Sequence, residues 1–267
     1  VMPVTAYAGS SARAVNDITG KVAAPTKEDS ADYFAPSRVG VSKEDAKKAD
    51  DLRGKTIDQI KAILAQKDAK NQFEMLLRLG ELYVERADYQ RDLEIEYYVT
   101  KHEKWQKSDE KTRGKAPQAD YKASESQLQN AISSFRKLVT TFPKHPRTDA
   151  ALYSLAGTLS RIEDENALLY YKQLITQHPQ SPLVPDSWLA IGEFYFDKHK
   201  IPQAREAYEH VMDFKEHRAY AFAVYKLGWC HYNSQGVNEK NPGDNLRKSI
   251  AAFKMVVKLA EGAKDKK

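Results

Sequence analysis

At 267 residues, 41% of them hydrophobic and 30% charged, the chain is long enough for one extended helical array or one to two globular domains. A net charge of +5 is small for a nucleic-acid binder, and the excess is local, in residues 101–122 and in the tail from 254 onward, so no basic stripe runs along one face. No apolar run is long enough to span a membrane, and the single Cys230 excludes an internal disulfide.

The opening VMPVTAYAGSS sets Ala6, Tyr7 and Ala8 in the A-x-A arrangement that a signal peptidase accepts, where only small side chains fit its pockets. It reads equally as the end of a signal peptide or as a flexible start, and the lack of a Cys after it argues against a lipid anchor there. Residues 1–51 are expected to be a disordered or signal-peptide remnant and linker, with Asp32, Tyr33 and Phe34 either a short docking motif or packed back on the chain. Thr56 starts a helix with Ile57, Ile60, Ile63 and Leu64 on one side, so 52–72 is expected to be an N-terminal helix capping the first hairpin.

Residues 73–106 carry no Pro and no turn cluster, and they predict one long helix that outruns its partners beyond Tyr83. Its end, with Tyr97, Tyr98 and Trp105, is a candidate second binding surface, and a polar hinge with Gly114 and Pro117 comes after it. The segment 73–148 is thus a helical hairpin with a long insertion. Three further hairpins are expected at 149–184, 185–218 and 219–267, the last with a loop insertion holding Gly236, Pro242 and Gly243 and with a basic tail.

The clearest hairpin is residues 186–211, DSWLAIGEFYFDKHKIPQAREAYEHV. Trp188, Ile191 and Tyr195 form an apolar stripe on its first helix, Gly192 is the small residue at a close crossing, and Ala204 and Tyr208 are the small and large packing positions of its second. The second helix recurs with Ala131 and Phe135 and with Ala167 and Tyr171, and the first recurs around Gly80, Ala156 and Gly228. Pro143 and Pro146, then Pro179 and Pro182, stop one helix, and Asp149 or Asp186 starts the next.

These offsets resemble the tetratricopeptide repeat, a two-helix unit of about thirty-four residues. The resemblance implies an all-α, right-handed superhelix of hairpins, here with one extended, projecting helix. It also implies that the first helices line a concave groove, in which Tyr153, Gly157 and Arg161, then Leu189, Glu193, Phe196 and Asp197, then Phe222, Tyr225, Trp229, Tyr232 and Asn233 face a bound segment. That set is aromatic with an acidic patch, suited to a peptide or helix that brings apolar side chains and a basic residue; the alternative is that the rings fill the inside of a tightly curved superhelix. The Lys and Asn clamp by which some members of the family hold a chaperone's terminal carboxylate is missing, since Tyr153, Leu189 and Tyr225 stand at the Lys position and Gly157, Glu193 and Trp229 at the Asn position.

His210, Asp213 and His217 have a spacing that suits one helix face, yet they fall where a helix should end, and charged residues there complement its dipole; no metal site is expected. No phosphate loop, zinc motif or nucleophile turn is present, so neither an enzyme nor a cofactor is expected. The runs FPKHPRTDAALYSLA, HPQSPLVPDSWLAIGEFYF and YKLGWCHYN further resemble repeats of bacterial envelope proteins. Among these are the BamD-like outer-membrane assembly lipoproteins, the Tol-Pal coordinators, and periplasmic repeat proteins of deltaproteobacteria, some linked to gliding motility. The resemblance implies an exported, non-enzymatic scaffold for protein partners, with a regulatory domain of a longer enzyme-bearing chain as the alternative.

Overall fold

In a computed structural model, residues 42–66, 70–234, 241 and 243–264 are described. Residues 1–41, with the Ala6-Tyr7-Ala8 and Asp32-Tyr33-Phe34 expectations, and 235–240 with Pro242, from the last loop, lie outside the described residues. Among the described residues there are nine α-helices and no strand. They are α1 (Lys43–Leu64), α2 (Gln72–Lys107), α3 (Lys122–Thr141), α4 (Thr148–Arg161), α5 (Asn166–Gln177), α6 (Val184–Asp197), α7 (Ile201–Val211), α8 (Ala219–Asn233) and α9 (Asp244–Lys264). Contacts divide the chain into two units, one of them Arg38–Asp164 with α1 to α4 and the other containing Glu165–Lys267 with α5 to α9.

In three of the hairpins a glycine stands where the helices cross, and an aromatic ring fills the place. A Cβ on Gly80 of α2 would stand 2.3 Å from the Phe135 ring of α3, one on Gly192 of α6 would stand 2.3 Å from the Tyr208 ring of α7, and one on Gly228 of α8 would stand 2.7 Å from the Phe253 ring of α9. The rings at α3 and α7 are wholly buried, together with the small residues Ala131 and Ala204 one turn earlier. Three glycine-to-ring contacts of one kind make the repeat physical: a large side chain enters only where its partner helix offers none.

In the unit of α1 to α4, α2 is flanked by α1 and α3. Ile57 of α1 packs with Leu79 and Leu82 of α2, with Ile60, Leu64 and Tyr83 at the margin. Helix α1 begins at Lys43, not at Thr56, which corrects the reading of 43–51 as linker. Ser42 caps it by accepting the Asp45 backbone N–H at 3.1 Å. Its polar first half is bound to α2 by charge: Arg86 grips the buried Asp50 through two nitrogens at 3.2 and 3.1 Å, Arg53 donates to Glu85 at 2.7 Å, and Lys43 pairs with Glu96. A segment held by ion pairs has no apolar period to read.

In the unit of α5 to α9, Ala204, Tyr208 and Val211 of α7 join Ala219, Ala223, Leu227 and Cys230 of α8 in one buried cluster, with Trp188, Leu189, Tyr195 and Phe196 of α6 against it. Helix α8 therefore lies on α7, and it also touches α6 directly. That sequence of contacts brings the faces of two successive first helices side by side.

Candidate partner-binding site

Helix α8 presents four aromatic residues on one stripe, Phe222, Tyr225, Trp229 and Tyr232, at helical offsets of three, four and three. Successive ring centroids stand 6.2, 6.2 and 5.7 Å apart, the last two contacts edge to face. Phe253 of α9 braces the stripe from behind, 5.8 Å from Tyr225 and 5.5 Å from Trp229. Tyr225 and Trp229 are consequently packing residues as well as surface rings, whereas Tyr232 is exposed. Such contacts hold rings in fixed positions, which lowers the entropy lost when a ligand packs on them.

Beside the stripe, the acidic patch is already occupied. Glu193 of α6 accepts the Tyr208 hydroxyl at 2.5 Å and pairs with Lys226 of α8 at 2.8 Å, with only 16% and 10% of the two charged side chains exposed. Burial first, and the Glu193 carboxylate second, raise the Tyr208 phenol well above its ordinary value, so it stays protonated and donates. The Lys226 ammonium also lies 4.8 Å from the Phe196 ring centre and 5.3 Å from that of Phe222. The expectation that Glu193 meets a partner's basic residue is thus corrected: the chain's own lysine supplies that cation. Sequence reasoning passes over Lys226, although it stands four residues, about one helical turn, after Phe222. Leu189, Phe196 and Asp197 sit half-buried on the same helix as Glu193, Leu189 and Phe196 against the cluster of α7 and α8.

In the other unit, Tyr153 and Gly157 are half-buried on α4, and Arg161 at its end is ion-paired with Asp88 of α2. Arg161 therefore ties two helices of its own unit together, a correction to its reading as a groove residue waiting for a partner.

The candidate second surface is also partly used. Past Glu96, which pairs with Lys43 at the start of α1, helix α2 runs on to Lys107 with Tyr97 and Val99 exposed, so the free length is shorter than the sequence predicts. Tyr98, His102 and Trp105 succeed one another at 5.6 Å spacings. The Trp105 indole N–H donates to the Gly114 carbonyl at 2.7 Å and the Arg113 guanidinium lies 4.6 Å from its ring. Trp105 pins the returning loop, and Tyr97 is the ring that remains outward.

The two histidines of the 210–217 run have other work. His210 stacks on Trp188 at 3.9 Å, and His217 accepts the Ala219 N–H through Nδ1 at 3.2 Å with Nε2 3.7 Å from Asp186. Among the described residues no group of three His, Cys, Asp or Glu is placed to hold a metal ion. Surface depressions of about 460 and 270 Å³ lie along α3 and between α1, α2 and α3. No described helix is long and apolar enough to cross a membrane.

Residues 150–181 match the family described as tetratricopeptide repeat. No curated protein matches the chain. The match supports the repeat reading of the helical pattern, and repeats of this type generally mediate contacts between proteins.

Proposed function

We propose that the chain is a non-enzymatic scaffold that holds a segment of a partner protein against the aromatic stripe of α8 and the neighbouring face of α6, within a bacterial envelope or motility complex. The observation that carries this reading is the stripe itself: Phe222, Tyr225, Trp229 and Tyr232 form an unbroken series of rings, fixed from behind by Phe253. Pre-ordered rings with a desolvated base are the kind of surface on which a few apolar anchors give most of the binding energy. Because Glu193 and Lys226 neutralise each other, recognition here rests on apolar shape and not on a charged clamp. The envelope setting rests on the likeness of the repeat runs to envelope proteins and on the A-x-A arrangement at Ala6 to Ala8.

The test is a photo-crosslinking residue placed at Tyr232, the exposed end of the stripe, in the full-length protein in its own cells. Crosslinks to a protein of the envelope, lost when Phe222 is changed to Ala, are expected. Crosslinks confined to the protein's own chain, or equal capture by the Phe222→Ala variant, would overturn the reading.

A further inference from the structure

Phe135, Tyr208 and Phe253 each meet the glycine of their hairpin, and this sets α3, α7 and α9 in one register. In that register a row one step round each helix holds Leu128, Ile132 and Val139 on α3, Ile201 and Arg205 on α7 with Met212 at its C-cap, and Leu246, Ile250 and Val257 on α9. On α3, which lies between α2 and α4, the row is 1%, 3% and 8% exposed. At α7, Ile201 and the C-cap Met212 pack against the cluster that includes Ala219, Ala223 and Leu227 of α8. On α9 the same three positions are 40%, 45% and 57% exposed, and among the described residues α8 is the only helix that packs on α9.

The two covering helices share a pattern. At matching positions α4 carries Ala151, Leu155 and Thr158 and α8 carries Ala223, Leu227 and Cys230, a small residue, a leucine and a small residue, all buried. On α7 this kind of row meets a helix with a small-x3-Leu-x2-small stripe, and α4, which packs on α3, carries the same stripe, the small residues letting the backbones approach. Along the outer side of the α9 row run Arg247, Lys254 and Lys258, with Glu261 beyond them, and Arg247 is already paired with Asp244. The flank is positive, which favours an acidic margin on whatever docks.

We propose that the open row of α9, Leu246, Ile250 and Val257, is the docking site for an amphipathic helix of another protein, one with a small-x3-Leu-x2-small stripe and acidic residues at its margin. It seats there as α8 seats on α7. This face is distinct from the aromatic stripe of α8, so the inference stands or falls separately from the proposed groove.

The probe is a labelled peptide with the α4 sequence, residues 148–161, carrying Ser154→Glu and Arg161→Glu to supply the acidic margin, titrated into the full chain and followed by fluorescence anisotropy. Saturable binding is expected, weakened at least tenfold by the pair Ile250→Glu and Val257→Glu in the chain and to the same degree by Leu155→Glu in the peptide, and unchanged by Tyr232→Ala. The two chain positions are exposed, and the peptide variant leaves the chain untouched, so a folding defect cannot imitate the result. Failure to saturate overturns the proposal, as does affinity indifferent to both changes. Sedimentation that shows the chain self-associating, with the dimer lost in the Ile250→Glu, Val257→Glu variant and displaced by the peptide, also overturns it by naming a second copy as the occupant.

Discussion

Tyr208 is held at both ends, its ring against Gly192 and its hydroxyl on Glu193, and it has no exposed surface. Phe253 plays the same part against Gly228 but lies half-buried on α9, with no hydroxyl to anchor it. The two glycines therefore differ in how far their rings can yield to a methyl group. Gly192→Ala should destabilise the protein by about 3 kcal/mol or more, and Gly228→Ala by about 1–2 kcal/mol, in urea unfolding followed by circular dichroism. Equal costs would mean that the hydroxyl anchor does not matter. Close by, burial pushes the Cys230 thiol up to about 12, so almost no thiolate exists near neutral pH in the folded protein. Iodoacetamide at about pH 8, close to the ordinary thiol value, should leave Cys230 unmodified in buffer and label it in urea, with the labelled fraction tracking the unfolding curve. Rapid labelling in buffer would show an opening that exposes α8.

At the scale of elements, α2 shows what a sequence can and cannot disclose. Its length was legible, because nothing from residue 73 to 106 breaks a helix, and Gly80 was legible as a crossing point from its likeness to Gly192. Its partners beyond Tyr83 were not. The first half of α1 meets it through Asp50, Arg53 and Lys43, residues that look like any solvated surface until their counter-charges are found some thirty to fifty positions away. The start of α3 is hidden in the same way: Tyr121 makes no side-chain cap, the nearby Asp120 takes only the N–H of Lys122 at 3.2 Å, and Glu94 of α2 accepts the N–H groups of Ala123 at 2.8 Å and Ser124 at 3.2 Å, and the Ser124 hydroxyl at 2.5 Å. A carboxylate at a helix N-terminus satisfies open donors and the dipole together. Glu94→Ala should cost about 1–2 kcal/mol and leave the amides of Ala123 and Ser124 unprotected in hydrogen exchange, while those around Phe135 keep their protection. Unchanged protection at Ala123 and Ser124 would remove Glu94 as the cap.

Across the whole chain, one joint recurs at a constant step. Backbone N–H groups of His145 and Thr148 donate to the carbonyls of Phe142 and His145; those of Ser181 and Val184 donate to His178 and Ser181; those of His217 and Tyr220 donate to Phe214 and His217. Each set lies 36 positions after the last. The first two joints were legible from their prolines, but the third has none and makes the same turn. What the three share is an acceptor at the middle position. His145 Nδ1 takes the N–H of Arg147 at 3.3 Å, Ser181 Oγ that of Leu183 at 3.1 Å, and His217 Nδ1 that of Ala219 at 3.2 Å. Two histidines and a serine are not similar letters, so a comparison of repeats by residue type passes over them, although each returns one oxygen or nitrogen lone pair to the start of the next helix. Function at this position is the acceptor and not the ring. His217→Ala should therefore lower stability by about 1 kcal/mol, and His217→Ser, which copies the second joint, should recover most of that loss. If alanine and serine prove equally destabilising, the imidazole acts through Asp186, which Arg218 also grips at 2.9 and 3.3 Å, and the repeat of the joint is held by that carboxylate instead.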